Sequence, residues 1–266
     1  MTDAGRPAPA GPTDRSEPAV SNGVAQLKEE FEAAILNGSL AAARLVVRSA
    51  VARGLPGANI YAEVLSPALC DIGELWEQNR ISIADEHLAT AITSRVMAIV
   101  GDSLASGADA SNERLVITGV EGEQHVMGLR MIADVLEGAG YDVLFLGADT
   151  PASALVASIA RHRPDLVALG ATGPGSGERL TGAITALRQI APALPIVVGG
   201  SQARLAAQVL GDSGVHVAED ATTVVAVVRS AIARAGISAP EIRPLTGSRG
   251  PARPPSTLLR RRSRPA

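Results

Sequence analysis

From Leu115 onward, short apolar runs alternate with runs of helix length, and this order leaves few folds open. The strand runs are Leu115–Val120, Asp142–Leu146, Leu166–Leu169, Ile196–Val198 and a short one near Val215–Val217. Between and after them the pattern turns helical over about 128–137, 152–162, 178–190, 204–210 and 222–235. The strand runs are continuously apolar rather than alternating, as expected when both faces of a sheet are covered. A strand–helix repeat of this kind predicts a doubly wound, flavodoxin-like parallel sheet of five strands. Ligands in such sheets sit outside the carboxyl ends of the strands, at the point where the winding reverses. The crossover loop after the first strand, near residue 125, falls there.

The half before the sheet reads differently. Leu27, Phe31, Ala34 and Ile35 recur at helical spacing, and Asn37-Gly38 stops that run. Ser39 can cap a second helix running to Arg53, which Gly54-Leu55-Pro56-Gly57 ends. A third spans about 59–78, and Ser82-Ile83-Ala84-Asp85 resembles a capping box opening a fourth. Four helices with short turns predict a bundle over residues 24–106. The expected organisation is a disordered N-terminal segment 1–23, the bundle, a polar linker 107–113, an α/β domain 114–236 and a disordered Pro/Arg-rich tail 237–266.

Composition excludes several chemistries. Lys28 is the one lysine among 24 basic residues, so no Walker lysine or Schiff-base lysine is available in the α/β half. Cys70 is alone, which rules out a disulfide framework or thiolate cluster within the chain. No run of 18 apolar residues is present, and the N-terminus lacks the apolar core of a secretory signal, so a cytoplasmic protein without a membrane span is expected. Aromatic residues make up only 2 %, so strong visible absorption would need a cofactor.

The loop after the first strand reads Glu123-Gln124-His125-Val126-Met127-Gly128. A carboxylate two residues before a histidine can accept the proton of one ring nitrogen and leave the other to bind a metal. Gly128 removes a side chain where a bulky ligand would approach the backbone. This segment resembles the Asp-x-His-x-x-Gly signature of the cobalamin-binding fold. The resemblance implies that His125 is the lower axial ligand to cobalt, oriented by Glu123. It also implies a slot for the nucleotide tail of the cofactor, to which Thr172, Gly199 and Gly200 correspond. Gly170 stands where that family usually has serine, and Glu123 where it has aspartate.

In the helical half, Trp76 is followed after nine residues by Glu86-His87. A helix N-terminus favours the carboxylate and disfavours imidazolium, which suits a neutral, metal-binding His87. The arrangement resembles the helical cap of adenosylcobalamin-dependent photoreceptors of the MerR-type light-responsive repressors. The resemblance covers about residues 24–235. It implies that Trp76 and Glu86 contact the adenosyl group in the dark, and that His87 becomes the upper cobalt ligand after light removes it.

Those photoreceptors carry a DNA-binding domain before the bundle, where this sequence has about 23 polar residues. The segment from Pro240 to Ala266 has a net charge of +6, which leaves −9 for the rest of a chain totalling −3. An acidic body disfavours phosphate contact, and a tail without aromatics offers no base readout. The expectation is therefore a non-enzymatic sensor that regulates transcription through a DNA-binding partner protein, with possible light-dependent homo-oligomers and no sequence-specific DNA binding of its own. The competing reading is the corrinoid shuttle subunit of a methyltransferase, carrying methylcobalamin or another corrinoid. A third is a mutase subunit, which would need a separate substrate barrel.

Overall fold

The computed structural model describes residues 17–104, 110–210 and 214–236. The tail 237–266, residues 1–16 and part of the linker lie outside the described residues.

The helical half begins with α1 (Glu17–Leu36) and α2 (Leu40–Ala52). α1 starts inside the segment read from sequence as disordered. Pro18 does not prevent this, because it falls in the first turn, where its missing N–H is not needed. Between the two helices Gly38 adopts φ +66° and the Ser39 hydroxyl accepts from the Ala42 N–H. The third helix, α3, is continuous but changes type. It runs as an α-turn (Gly57–Asn59), a π-helical stretch (Ile60–Leu65) and an α-helix (Ser66–Glu77). The Ser66 N–H reaches back to the Tyr61 carbonyl, and the next residue, Pro67, has no N–H to give. The π stretch thus takes up the register change that the proline imposes. α4 (Ile83–Leu104) opens on the expected capping box: Ser82 Oγ accepts from the Asp85 N–H at 3.2 Å, and Asp85 Oδ2 accepts from the Ser82 N–H at 2.9 Å.

The α/β half follows as β1 (Arg114–Val120), α5 (Val126–Gly138), β2 (Asp142–Thr150), α6 (Ala152–His162), β3 (Leu166–Gly170), α7 (Ser176–Ile190), β4 (Ile196–Gly199), α8 (Ala203–Leu210), β5 (Val215–Val217) and α9 (Val224–Ala235). All neighbouring strands are parallel, in the order β2-β1-β3-β4-β5, which is the flavodoxin-like winding. The fold is therefore α/β, with a four-helix bundle leading into a five-stranded parallel sheet. β2 extends four residues beyond the expected end at Leu146. Gly147 (φ +90°) does not end the strand but is absorbed as a bulge, with register shifts against β1 around Thr118.

β1 and β3 are buried almost throughout, as their continuous apolar runs require. One face of the sheet joins α5 and α9 to the bundle in a single core that contains Phe31, Tyr61, Met97, Leu115, Leu136 and Val228. The other face packs α6 and α7 through Leu155, Ile159, Leu180 and Ile184. The helices that follow β1 and β3 thus lie on opposite faces. Their strand ends form the switch point where a ligand crevice opens. The bundle is tied to α5 by the buried Tyr61, whose hydroxyl donates to Asp134 Oδ2 at 2.7 Å. At the far end of the contact, a Cβ placed at Gly138 would lie 2.7 Å from the Leu104 side chain.

Candidate functional site

At the switch point, the short loop between β1 and α5 is organised by one carboxylate. Glu123 is 1 % exposed. Its Oε1 accepts from the backbone N–H of His125 at 2.8 Å and from the His125 ring Nδ1 at 2.6 Å. Its Oε2 accepts from the Gly173 N–H at 3.0 Å and, in a shorter contact, from the Thr172 N–H. Burial alone would push this carboxyl up. The N–H donors of His125, Thr172 and Gly173 outweigh it and hold the pKa below the ordinary glutamate value. A buried carboxylate is stable here because each oxygen faces donors.

The consequence for His125 is chemical. An ionised carboxylate only accepts, so Nδ1 carries the ring proton, and the lone pair of the neutral imidazole sits on Nε2. The ring is 62 % exposed. His125 is also the N-cap of α5. At Gly128, one turn into that helix, an added Cβ would find no atom within 4 Å apart from its own helix backbone. Nothing in the protein requires glycine at that point, and the space beside it is open. A fixed imidazole nitrogen beside an uncovered helix start suits a bulky metal complex better than a bare ion. Among the described residues no cluster of His, Cys, Asp or Glu could hold an ion on its own.

The ends of β3 and β4 meet the same loop. Gly200 has φ +94°, and a Cβ on it would lie 2.3 Å from the Ala171 carbonyl oxygen and 2.6 Å from Thr172 Oγ1. Gly199 is different: its nearest neighbour, the Ala218 carbonyl oxygen, would stand 3.6 Å away. Thr172 is exposed, and its carbonyl accepts from Ser201 Oγ at 2.9 Å. Asp149 completes the loop by accepting from the Gly122 N–H at 2.6 Å, while its own N–H donates to the Glu123 carbonyl at 3.0 Å. Asp149 and Gly173 were not among the residues singled out from sequence. The one local sign of Asp149 is a Gly-Ala-Asp sequence at a strand end, where aspartate tolerates its φ of +51°.

The second group lies at one end of the bundle. Trp76 is in the last turn of α3 and Glu86-His87 in the first turns of α4. Trp76 is 43 % exposed, so it is not a core residue of the bundle. Glu86 accepts through Oε2 from His87 Nδ1 at 2.7 Å and through Oε1 from Thr90 Oγ1 at 3.0 Å. His87 therefore repeats the arrangement of His125, with Nδ1 held by a carboxylate and Nε2 free; its ring is 71 % exposed. No hydrogen bond or ion pair joins this group to the Glu123 loop among the described residues.

Helix direction relates the two groups. Ser94 and Met97 of α4 line one crevice with Arg130 and Asp134 of α5, and Leu104 meets Gly138, so the helices run in the same sense. α4 has eleven residues before Ser94, and α5 has four before Arg130. α4 therefore overhangs the N-terminus of α5 by roughly 10 Å at 1.5 Å per residue. His87 is on that overhang, beyond the helix end that His125 caps.

Residues 113–228 match a family described as B12 binding domain, and residues 27–100 match a second family of the same description. The chain is 35 % identical over 168 residues to the HTH-type transcriptional repressor CarH of Myxococcus xanthus, covering 63 % of this chain and 55 % of that protein. It is 34 % identical over 149 residues to the repressor CarA of the same organism, covering 56 % and 51 %. It is 27 % identical over 146 residues to monomethylamine corrinoid protein 2 of Methanosarcina acetivorans, covering 54 % and 67 %. The chain spans about half the length of the two repressors it matches. Its fold is shared with the solved monomethylamine corrinoid protein of Methanosarcina barkeri, at a TM-score of 0.65 and 20 % identity over 77 % of this chain and 98 % of that one.

Proposed function

We propose, for a chain that belongs to the B12-binding proteins through a domain in each of its halves, that it is an adenosylcobalamin-dependent light sensor acting on transcription through a protein partner. The observation that carries this reading is the pair of carboxylate-held histidines, His125 with Glu123 at the start of α5 and His87 with Glu86 on the part of α4 that overhangs it. A corrinoid has two axial positions, and a carrier that binds from below needs only one histidine.

In this reading His125 would hold cobalt through Nε2, with Glu123 fixing its tautomer. Thr172, Gly199 and Gly200 line the side toward the nucleotide tail, and Gly128 leaves room for the corrin edge. Adenosylcobalamin would supply a cobalt–carbon bond that light breaks. Trp76 and Glu86 would contact the adenosyl group. His87, already oriented by Glu86, would offer Nε2 as a second cobalt ligand once that group has left. The bundle must then shift against α5, which would change a protein-binding face. Residues 1–239 carry a net charge of −9, which favours a protein partner over direct phosphate contact.

The test is a visible spectrum of the protein loaded with adenosylcobalamin, recorded in the dark and after green light. Wild type is expected to end in a stable bis-histidine spectrum. His87→Ala is expected to respond to light and end in a different one. An identical final spectrum in wild type and mutant would remove His87 from the mechanism.

The runner-up, a corrinoid shuttle for a methyltransferase, is favoured by the similarity to the monomethylamine corrinoid protein. It requires binding of methylcobalamin in preference to adenosylcobalamin and methyl transfer to an acceptor.

A further inference from the structure

We propose that Leu129 controls entry of the nucleotide tail of a corrinoid into the switch-point groove; the inference rests on the cobalamin reading above. Gly119 and Gly170 are register partners at the carboxyl ends of β1 and β3. Neither has a positive φ, so the backbone does not call for glycine at either place. What the two glycines create is space: a hollow over the paired strand ends at the point where the sheet winding reverses.

Two side chains fill that hollow: Glu123, whose Cγ would lie 3.2 Å from a Cβ at Gly119, and Leu129, which reaches both glycines. A Cβ placed at Gly170 would lie 2.6 Å from Leu129 Cδ2 and 3.0 Å from its Cδ1 and Cγ. A Cβ at Gly119 would lie 3.3 Å from Leu129 Cδ1. Leu129 comes from the first turn of α5, four residues after His125, and it is only half buried. Its attachment differs from that of the core leucines: it borders solvent on one side and can leave by a change of rotamer. The hollow is apolar and lies beside the His125 loop, so it suits the flat base that ends the nucleotide tail of cobalamin.

Leu129 thus occupies the seat when the tail is absent and must be displaced when the tail enters. The same contact accounts for Gly170 standing where a serine is usual in the cobalamin-binding fold. A serine there would press on Leu129 in its present rotamer, so the two positions are coupled. The tail-dependent part of corrinoid affinity is then set by the size of residue 129.

The experiment compares cobalamin with cobinamide, a corrinoid that lacks the nucleotide tail. Binding of each is titrated by absorbance to wild type, Leu129→Ala and Leu129→Phe, and far-ultraviolet circular dichroism melts confirm that each variant is folded. Leu129→Ala is expected to raise the preference for cobalamin over cobinamide by roughly tenfold, about 1.4 kcal/mol at 25 °C. Leu129→Phe is expected to lower it, with cobinamide affinity little changed in both variants. Equal changes for the two corrinoids, or no change in their ratio, would overturn the role of Leu129 alone. Failure of wild type to bind either corrinoid would instead sink the cobalamin reading, and this inference with it.

Discussion

Tyr61, with no exposed surface, reaches out of the bundle to donate its hydroxyl to Asp134 of α5 at 2.7 Å. Burial and the hydrogen bond to Asp134 both hold the phenol in its neutral form, well above the ordinary tyrosine range. Asp134 also accepts from Arg130 at 3.3 Å, and the Arg130 guanidinium lies 5.7 Å from the Phe145 ring centroid on β2. One hydroxyl therefore links the bundle to the sheet through a short polar chain.

Removing that hydroxyl tests how firmly the halves are joined. Tyr61→Phe keeps the ring but leaves the Asp134 carboxylate short of a donor. A loss of about 1.5–3 kcal/mol is expected, the range for a hydrogen bond to a charged group. Urea denaturation followed by circular dichroism measures it. A midpoint equal to wild type would mean that the apolar contact alone holds bundle and sheet together.

Glu123→Gln replaces one acceptor oxygen by an NH2 group that faces N–H donors. A destabilisation of about 1–3 kcal/mol is expected. His125 should also lose its fixed tautomer, so cobalamin retention and the His-on spectrum should fall toward those of His125→Ala. If Glu123→Gln binds cobalamin with an unchanged spectrum, the carboxylate does not orient the histidine.

Three glycines should behave differently although all lie around one site. Gly200→Ala forces a Cβ to within 2.3 Å of the Ala171 carbonyl oxygen at φ +94°, and a loss of more than about 2 kcal/mol is expected. Gly199→Ala meets only an ordinary contact at 3.6 Å and should cost little in thermal melts. Gly128→Ala meets nothing within 4 Å and should leave the apo protein at least as stable, by up to about 1 kcal/mol for alanine in a helix. Cobalamin affinity of Gly128→Ala should nevertheless drop. Unchanged affinity would show that the open space at Gly128 is not the corrin's.

The α4 capping box gives a pH signature. The side-chain and backbone hydrogen bonds from Ser82 hold Asp85 below the ordinary aspartate value. A carboxyl with a depressed folded-state pKa stabilises the fold fully above its unfolded value, about pH 4, and loses that contribution as pH falls through the lower folded value. Ser82→Ala should destabilise by about 1 kcal/mol at neutral pH, the usual worth of an N-cap. The difference from wild type should shrink below about pH 4. A mutant–wild-type gap that stays constant down to pH 2 would show that Asp85 takes no part in the cap.

Features with a local cause were legible in the sequence. The Ser39 and Ser82 caps and the α6 span need only neighbours a few residues away, and each is found where the pattern put it. β1 and β3 were legible because burial on both faces leaves no polar residue to interrupt the run. β2 was cut short because Gly147 looks like a strand end, although the ladder takes it up as a bulge. Within the site, the Glu123–His125 pair could be read from a spacing of two. The reach of Glu123 to the Thr172 and Gly173 N–H groups could not, since it joins backbone some fifty residues apart with donors that every residue type carries. Leu129 over Gly170 was hidden for the same reason: each residue is ordinary where it stands, and only the parallel pairing of β1 with β3 makes them neighbours.

The π stretch at Ile60–Leu65 acts as a phase shift on everything after it in α3. Each residue of an α-helix turns the chain by about 100°, so one extra residue taken into a wider turn rotates the downstream faces by about that angle. Trp76, in the last turn of the same helix, takes its bearing from that rotation. With a uniform α-helix up to Pro67, the indole would be aimed about a quarter-turn away from its present 43 % exposed position. A proline nine residues earlier thus helps to decide in which direction the single tryptophan looks.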